Sequence, residues 1–173
     1  MKYQDCIGPA QAPDETAGGG SRLADANINP RTGLATDYLN HFNEAIMLLE
    51  LLPACPDCIS DFLAWRPMTY REHFAVSHFK GRDLAIAAYE EADPAVRERL
   101  GTVVGTMTAV LLAAREAMLE ETATAAVSII ATLAATSLKP LVARAGAVIN
   151  GEADDESTTP QAMVDSLMKR LSA

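Results

Sequence analysis

The sequence predicts an all-α protein, a multi-helix bundle carrying a flexible N-terminal tail. Three observations predict it. Apolar residues recur at three- and four-residue spacing through most of the chain after residue 33, helix-start signals precede several of those stretches, and β-branched runs are few. Hydrophobic residues make up 49% and charged residues 21% of the 173 residues, a globular balance within one-domain length. Aromatic residues are only 5%, so the core is expected to be aliphatic, and the abundant Ala, Leu, Met and Glu favour helix.

Residues 1–33 read as the tail. Pro9, Pro13, Gly18-Gly19-Gly20, Asn29-Pro30 and Gly33 punctuate them without a sustained apolar period. The helical domain is expected over 34–173. Thr36 or Asp37 is placed to cap a helix running to about Leu52, with Leu39, Phe42, Ile46 and Leu49 on one face. Met47, Leu48, Leu51 and Leu52 widen that face, which predicts cover on more than one side. Pro53 to Cys58 form a stiff connector before a short helix through Phe62 to Trp65, stopped by Pro67. Thr69-Tyr70-Arg71-Glu72 has the form of a capping box, and its helix is expected to continue through His73, Phe74, Val76 and Phe79 until Gly81 breaks it.

Asp93-Pro94 opens the next helix, an N-cap followed by proline at the first helical position. Leu100, Val103, Val104, Met107, Val110, Leu111, Ala114 and Met118 form its stripe, and Gly101 and Gly105 are expected at a tight packing contact. Residues 94–138 form either two helices turning near Glu120-Glu121-Thr122 or one rod of about 65 Å. Thr124, Ser128, Thr132 and Thr136 form an i, i+4 row whose hydroxyls can bond back to carbonyls one turn earlier, read as a helix–helix seam. Pro140 is expected to start or kink a further helix ending near Asn150-Gly151. An acidic linker at 152–158 then precedes a last helix from Thr159-Pro160 with Met163, Val164, Leu167, Met168 and Leu171 on its apolar face.

The formal net charge of −9, without a basic cluster, argues against nucleic-acid partners. Cys6, Cys55 and Cys58 are too few for a disulfide framework, which fits a reducing compartment. No apolar signal region is visible in Met1 to Ala10, and the uncharged run Thr122 to Leu138 is short and hydroxylated for a spanning helix. A cytoplasmic protein without a membrane span is the expectation.

The sharpest chemical pattern is Cys55-x2-Cys58, fourteen residues, then His73-x4-His78, within the Cys2His2 range for zinc. Three features oppose it. Ile59 to Trp65 reads as helix rather than hairpin, five-residue spacing splays the histidines around a helix, and the basic residues of a DNA-reading finger are missing. A second metal reading uses His41 and Glu44 at i, i+3, with Glu72 or His73 from a neighbouring helix. Cys-x-x-Cys also serves as a redox pair, usually in a βαβ setting that the sequence does not show. There is no phosphate-cradling glycine loop and no nucleophile elbow, so no catalytic residue is assigned and no cofactor is expected.

Thr36 to Glu50 (TDYLNHFNEAIMLLE) with Tyr70 to Phe74 (YREHF) resembles small uncharacterised helical proteins of bacteria, and the resemblance brings no activity with it. The leading expectation is a helical interaction or regulatory protein, associating with itself or another protein through its surplus of wide apolar stripes. The alternative is a metal-binding helical protein holding zinc or iron through the Cys/His or His/Glu residues.

Overall fold

The computed structural model describes residues 15–152, and side chains from Gly20 onward. The acidic linker beyond Glu152, the last helix and Cys6 lie outside the described residues. Seven α-helices pack together, with no strand among the described residues. They are α1 (Glu15–Asp25), α2 (Leu39–Leu51), α3 (Ile59–Ala64), α4 (Tyr70–Val76), α5 (Arg82–Glu91), α6 (Pro94–Glu120) and α7 (Thr124–Asn150).

The expected tail is ordered over its second half. After α1 the chain turns through Asn27 in the left-handed region (φ 57°) and folds Ile28 against Ala35 in a single antiparallel bridge. Ile28, Leu34 and Ala35 are 1% exposed or less, so this strap belongs to the core. Its Pro, Gly and Asn residues are turn chemistry rather than disorder. Gly33, at φ +70°, brings the backbone so close to α5 that a Cβ would meet the Ala88 carbonyl oxygen at 2.8 Å. Thr32 Oγ1 donates to the Ile149 carbonyl at 2.6 Å, and Arg31 donates to the Gly151 carbonyl at 3.0 Å. Both bonds reach the C-terminal end of α7.

Helix α2 starts through a 3₁₀ turn at Thr36–Tyr38 without a side-chain cap. Its face of Leu39, Phe42, Ile46 and Leu49 is buried as the spacing predicts, whereas Met47 and Leu51 stay 54% and 43% exposed. Cover on several sides is therefore incomplete. The capping box forms: Glu72 N–H donates to Thr69 Oγ1, and the Thr69 N–H donates to the Glu72 carboxylate. This helix ends at Val76, short of Phe79. Asp93 caps α6 by accepting from the Ala95 N–H at 2.8 Å, with Pro94 at the first position.

Residues 94–138 resolve as two helices. Glu121 to Ala123 make the turn, where the Glu121 carboxylate accepts from the N–H groups of Thr122 and Ala123. Helices α6 and α7 are 27 residues each, an antiparallel hairpin about 40 Å long. Pro140 lies inside α7 and does not start a new helix; Pro140 and Thr136 are both exposed, so water can take the carbonyl its missing N–H leaves. Helix α2 crosses the C-terminal half of α7, where Lys139 pairs with Glu50 at 2.5 Å and Leu39 approaches Gly146. Inward rows of Leu100, Val103, Met107, Val110, Leu111 and Ala114 on α6, and Val127, Ala131, Ala134, Leu138 and Leu141 on α7, fill the core.

Candidate functional site

Three features hold the chemistry and surface the sequence singled out: an imidazole pair, a thiol pair and an uncharged helical face.

The imidazole pair sits in the aromatic cluster that joins α2 to α3, α4 and α5. His41 projects inward from α2 and is 4% exposed. Its ring stacks on Trp65, with centroids 4.6 Å apart and planes at 21°, while the Trp65 indole N–H donates to the His41 carbonyl at 3.2 Å. His73, half-buried on α4, lies with its ring centroid 6.0 Å from that of His41 and 5.7 Å from that of Tyr38. His41 bonds the Arg66 backbone, and its Nε2 is buried with no partner. Burial, reinforced by the neighbouring His73, holds His41 below the ordinary histidine range. Burial does the same to His73, partly offset by the Asp37 backbone and carboxylate. Both rings are neutral at neutral pH.

Around them Tyr38 donates to the Met68 carbonyl at 2.8 Å, and Tyr70 Oη accepts the Ala35 N–H at 2.8 Å. Tyr70 also stacks on Tyr89 at 4.4 Å. Burial raises both Tyr38 and Tyr70. Sequence reading singled out His41 and His73 but gave no role to Trp65, Tyr38 or Tyr70. The available signal was scarcity: the few aromatic residues fall mostly between 38 and 89.

The four-ligand zinc pattern is not assembled. Cys55 and Cys58 sit together at the α2–α3 corner, His73 faces His41, and His78 is exposed beyond the end of α4. That helix stops before the second histidine, so the five-residue spacing never becomes a shared face. Glu44 is exposed while His41 turns into the core, and Glu72 is engaged by Thr69, so the His41–Glu44 reading gathers no ligand set either. Among the described residues no group of three or more His, Cys, Asp and Glu side chains is placed to hold a metal ion.

The third feature is the outward side of the hairpin. No charged residue occurs from Leu100 to Ala114 or from Thr122 to Leu138. The solvent-facing positions there are Gly101, Thr102, Gly105, Ala109 and Leu112 on α6, and Thr124, Ala125, Ile129, Thr132 and Thr136 on α7. This corrects two expectations. Gly101 and Gly105 have nothing within 4 Å of a would-be Cβ, so they are open rather than packed. The Thr/Ser row does bond back, Ser128 to the Thr124 carbonyl and Thr132 to the Ser128 carbonyl, but it faces away from the core. The spacing groups these residues on one face of each helix but does not say on which side the core lies.

Comparison with family models, curated proteins and solved structures returned no match. The functional reading therefore rests on the residues themselves.

Proposed function

We propose that this protein is an α-helical interaction module that associates with its own copies through the outward faces of α6 and α7. One observation carries the reading: long uncharged stretches of both helices face solvent on a chain whose net charge is −9. Copies carrying that charge repel one another except where a face carries none. Ile129 at 61% and Leu112 at 42% exposure supply apolar area, and Leu119 at 63% extends it toward the hairpin tip. Gly101 and Gly105 let a partner backbone approach closely, and the back-bonded hydroxyls of Thr132 and Ser128 need no further partner when covered. Sedimentation velocity across a concentration series tests the reading. A concentration-dependent dimer or higher state supports it; a strict monomer at high micromolar concentration rejects it.

A second reading has its own observation. Both α6 and α7 are long and apolar enough to cross a membrane by length and composition, and only 33% of each such stretch is buried within the protein. Against it, the larger apolar side chains, Val103, Met107, Val110 and Leu111, are already committed inward, leaving mainly Gly, Ala and Thr outward. Small residues gain little from lipid tails but favour helix–helix contact. Flotation with neutral phosphatidylcholine vesicles separates the two readings: co-flotation of the folded protein would favour the bilayer over the second copy.

A further inference from the structure

Cys55 and Cys58 occupy the corner between α2 and α3, both half-exposed. The corner is held by main-chain bonds, from the Cys55 N–H to the Leu51 carbonyl at 2.8 Å and from the Cys58 N–H to the Cys55 carbonyl at 3.0 Å. Those bonds point both side chains to one side. The Cys58 thiol donates to Cys55 Sγ with the sulfurs 2.6 Å apart. The two sulfurs are in direct contact, so side-chain rotation alone, with no movement of the corner's backbone, would bring them to the roughly 2.05 Å of a disulfide. A metal ion would need further ligands, and none is gathered around the pair among the described residues. The chemistry these two sulfurs can complete without other protein groups is oxidation to each other.

We infer that Cys55 and Cys58 form a reversible dithiol–disulfide centre that exchanges with low-molecular-weight disulfides of the glutathione type. Cys55, as its thiolate, attacks one sulfur of the small disulfide and expels the first thiolate, leaving a mixed disulfide on Cys55. Cys58 then loses its proton and attacks Cys55 Sγ, forming the intramolecular bond and expelling the second thiolate. Two protein thiols are oxidised by two electrons, one small disulfide is reduced to two thiols, and the two protons pass to the departing sulfurs.

The order follows from the hydrogen bond. Donation to Cys55, then partial burial and the charges of Cys55, Asp61 and Asp57, push the Cys58 thiol up to about 11, so Cys58 keeps its proton in the resting pair. Once Cys55 is capped, the largest of those causes is gone and Cys58 is released to act as the resolving thiol. The exchange has a built-in reporter. The corner leads directly into α3, whose Phe62 is 1% exposed and whose next residue after the helix, Trp65, stacks on His41 and is the sole tryptophan.

The full chain, equilibrated with mixtures of reduced and oxidised glutathione, acid-quenched and alkylated with N-ethylmaleimide, tests this by intact mass and peptide mapping. The expected product is monomolecular, about 2 Da lighter than the dithiol before alkylation and lacking two maleimide adducts after it, with Cys55 linked to Cys58, Cys6 alkylated and Trp65 emission changed. Its ratio to the dithiol form should rise in proportion to oxidised glutathione over the square of reduced glutathione. Cys58→Ser should stall as a stable glutathione adduct on Cys55, because the resolving sulfur is missing. Three results overturn the proposal: independent alkylation of both cysteines at every glutathione ratio, a persistent adduct on the unaltered chain, or bonds to Cys6 or between chains. If Cys58→Ser loses its helical circular dichroism, the peptide map of the unaltered chain decides alone.

Discussion

The self-association reading places a definite load on Ile129. This side chain stands in the second turn of α7 with 61% of its surface exposed. Full burial of an isoleucine stabilises by about 1.5–3 kcal/mol, so covering the part that faces water contributes about 1–2 kcal/mol. A two-fold contact uses the same patch from both chains, which doubles the effect to about 2–4 kcal/mol per dimer. Ile129→Glu removes that contribution and sets two carboxylates close together on chains that already carry −9 each. At about 1.4 kcal/mol per factor of ten, dissociation should become about 30- to 1,000-fold easier. The monomer keeps its fold, because the position faces solvent and glutamate is a good helix former. Sedimentation velocity gives the dissociation constant, and circular dichroism with a urea midpoint checks the fold. A constant unchanged within about threefold, with the fold intact, refutes the assignment of this face.

Further outcomes follow from the interior. Tyr70→Phe keeps the stacked ring but leaves the Ala35 N–H, on a residue 0% exposed, without its acceptor. The cost is about 1–3 kcal/mol, read as a lower urea midpoint at constant slope, and no shift would mean that water reaches Ala35. Thr69→Ala removes the hydroxyl acceptor of the Glu72 N–H at the start of α4 while the backbone N–H of residue 69 still donates to the Glu72 carboxylate, with a loss of about 1 kcal/mol by the same measurement, and Thr69→Ser should restore most of it. Stability should be level between about pH 6.5 and 8 and decline as the pH falls below that window. The folded-state values of His41 and His73 are depressed, so the unfolded chain binds more protons in that window. Glu72 and Glu121, also depressed, add their loss only below about pH 4.5. A urea midpoint independent of pH between about 7 and 5 would contradict the histidine assignment, and His41→Gln should flatten the slope.

The elements with local causes were readable in the sequence. Asp93-Pro94, Thr69-x-x-Glu72 and the stripe Leu39, Phe42, Ile46, Leu49 act through neighbours within one or two turns, and the structure places each as the spacing predicts. The features misread depend on distant partners. Ile28, open to local docking by sequence but placed in the tail, has no periodicity because it lies in a strap, and only its contact with the rest of the core shows that it is buried. Gly101 and Gly105 share a face with Leu112, and spacing alone does not distinguish a packed small-residue face from an open one. His41 and His73 were each visible, but their adjacency depends on α4 lying beside the start of α2, a tertiary fact. The Cys-x-x-Cys pair was the most legible chemical feature, because its four-residue span fixes both ends locally.

The bonds from Thr32 to Ile149 and from Arg31 to Gly151 join residues 117 and 120 positions apart. Closing so long a loop costs only logarithmically more than closing a short one, so the clasp is mild in equilibrium terms. Its effect falls on the order of assembly. The α6–α7 hairpin needs only a three-residue turn, whereas Ile28 and Leu34 have no finished site until α7 has been synthesised to its end. On a ribosome that emits the chain from its N-terminus, this segment, made before α2 to α7, is among the last to be seated. Until the end of α7 emerges, the strap lacks the Ile149 and Gly151 carbonyls that Thr32 and Arg31 bond, so the cover of Ile28 and Leu34 is completed late.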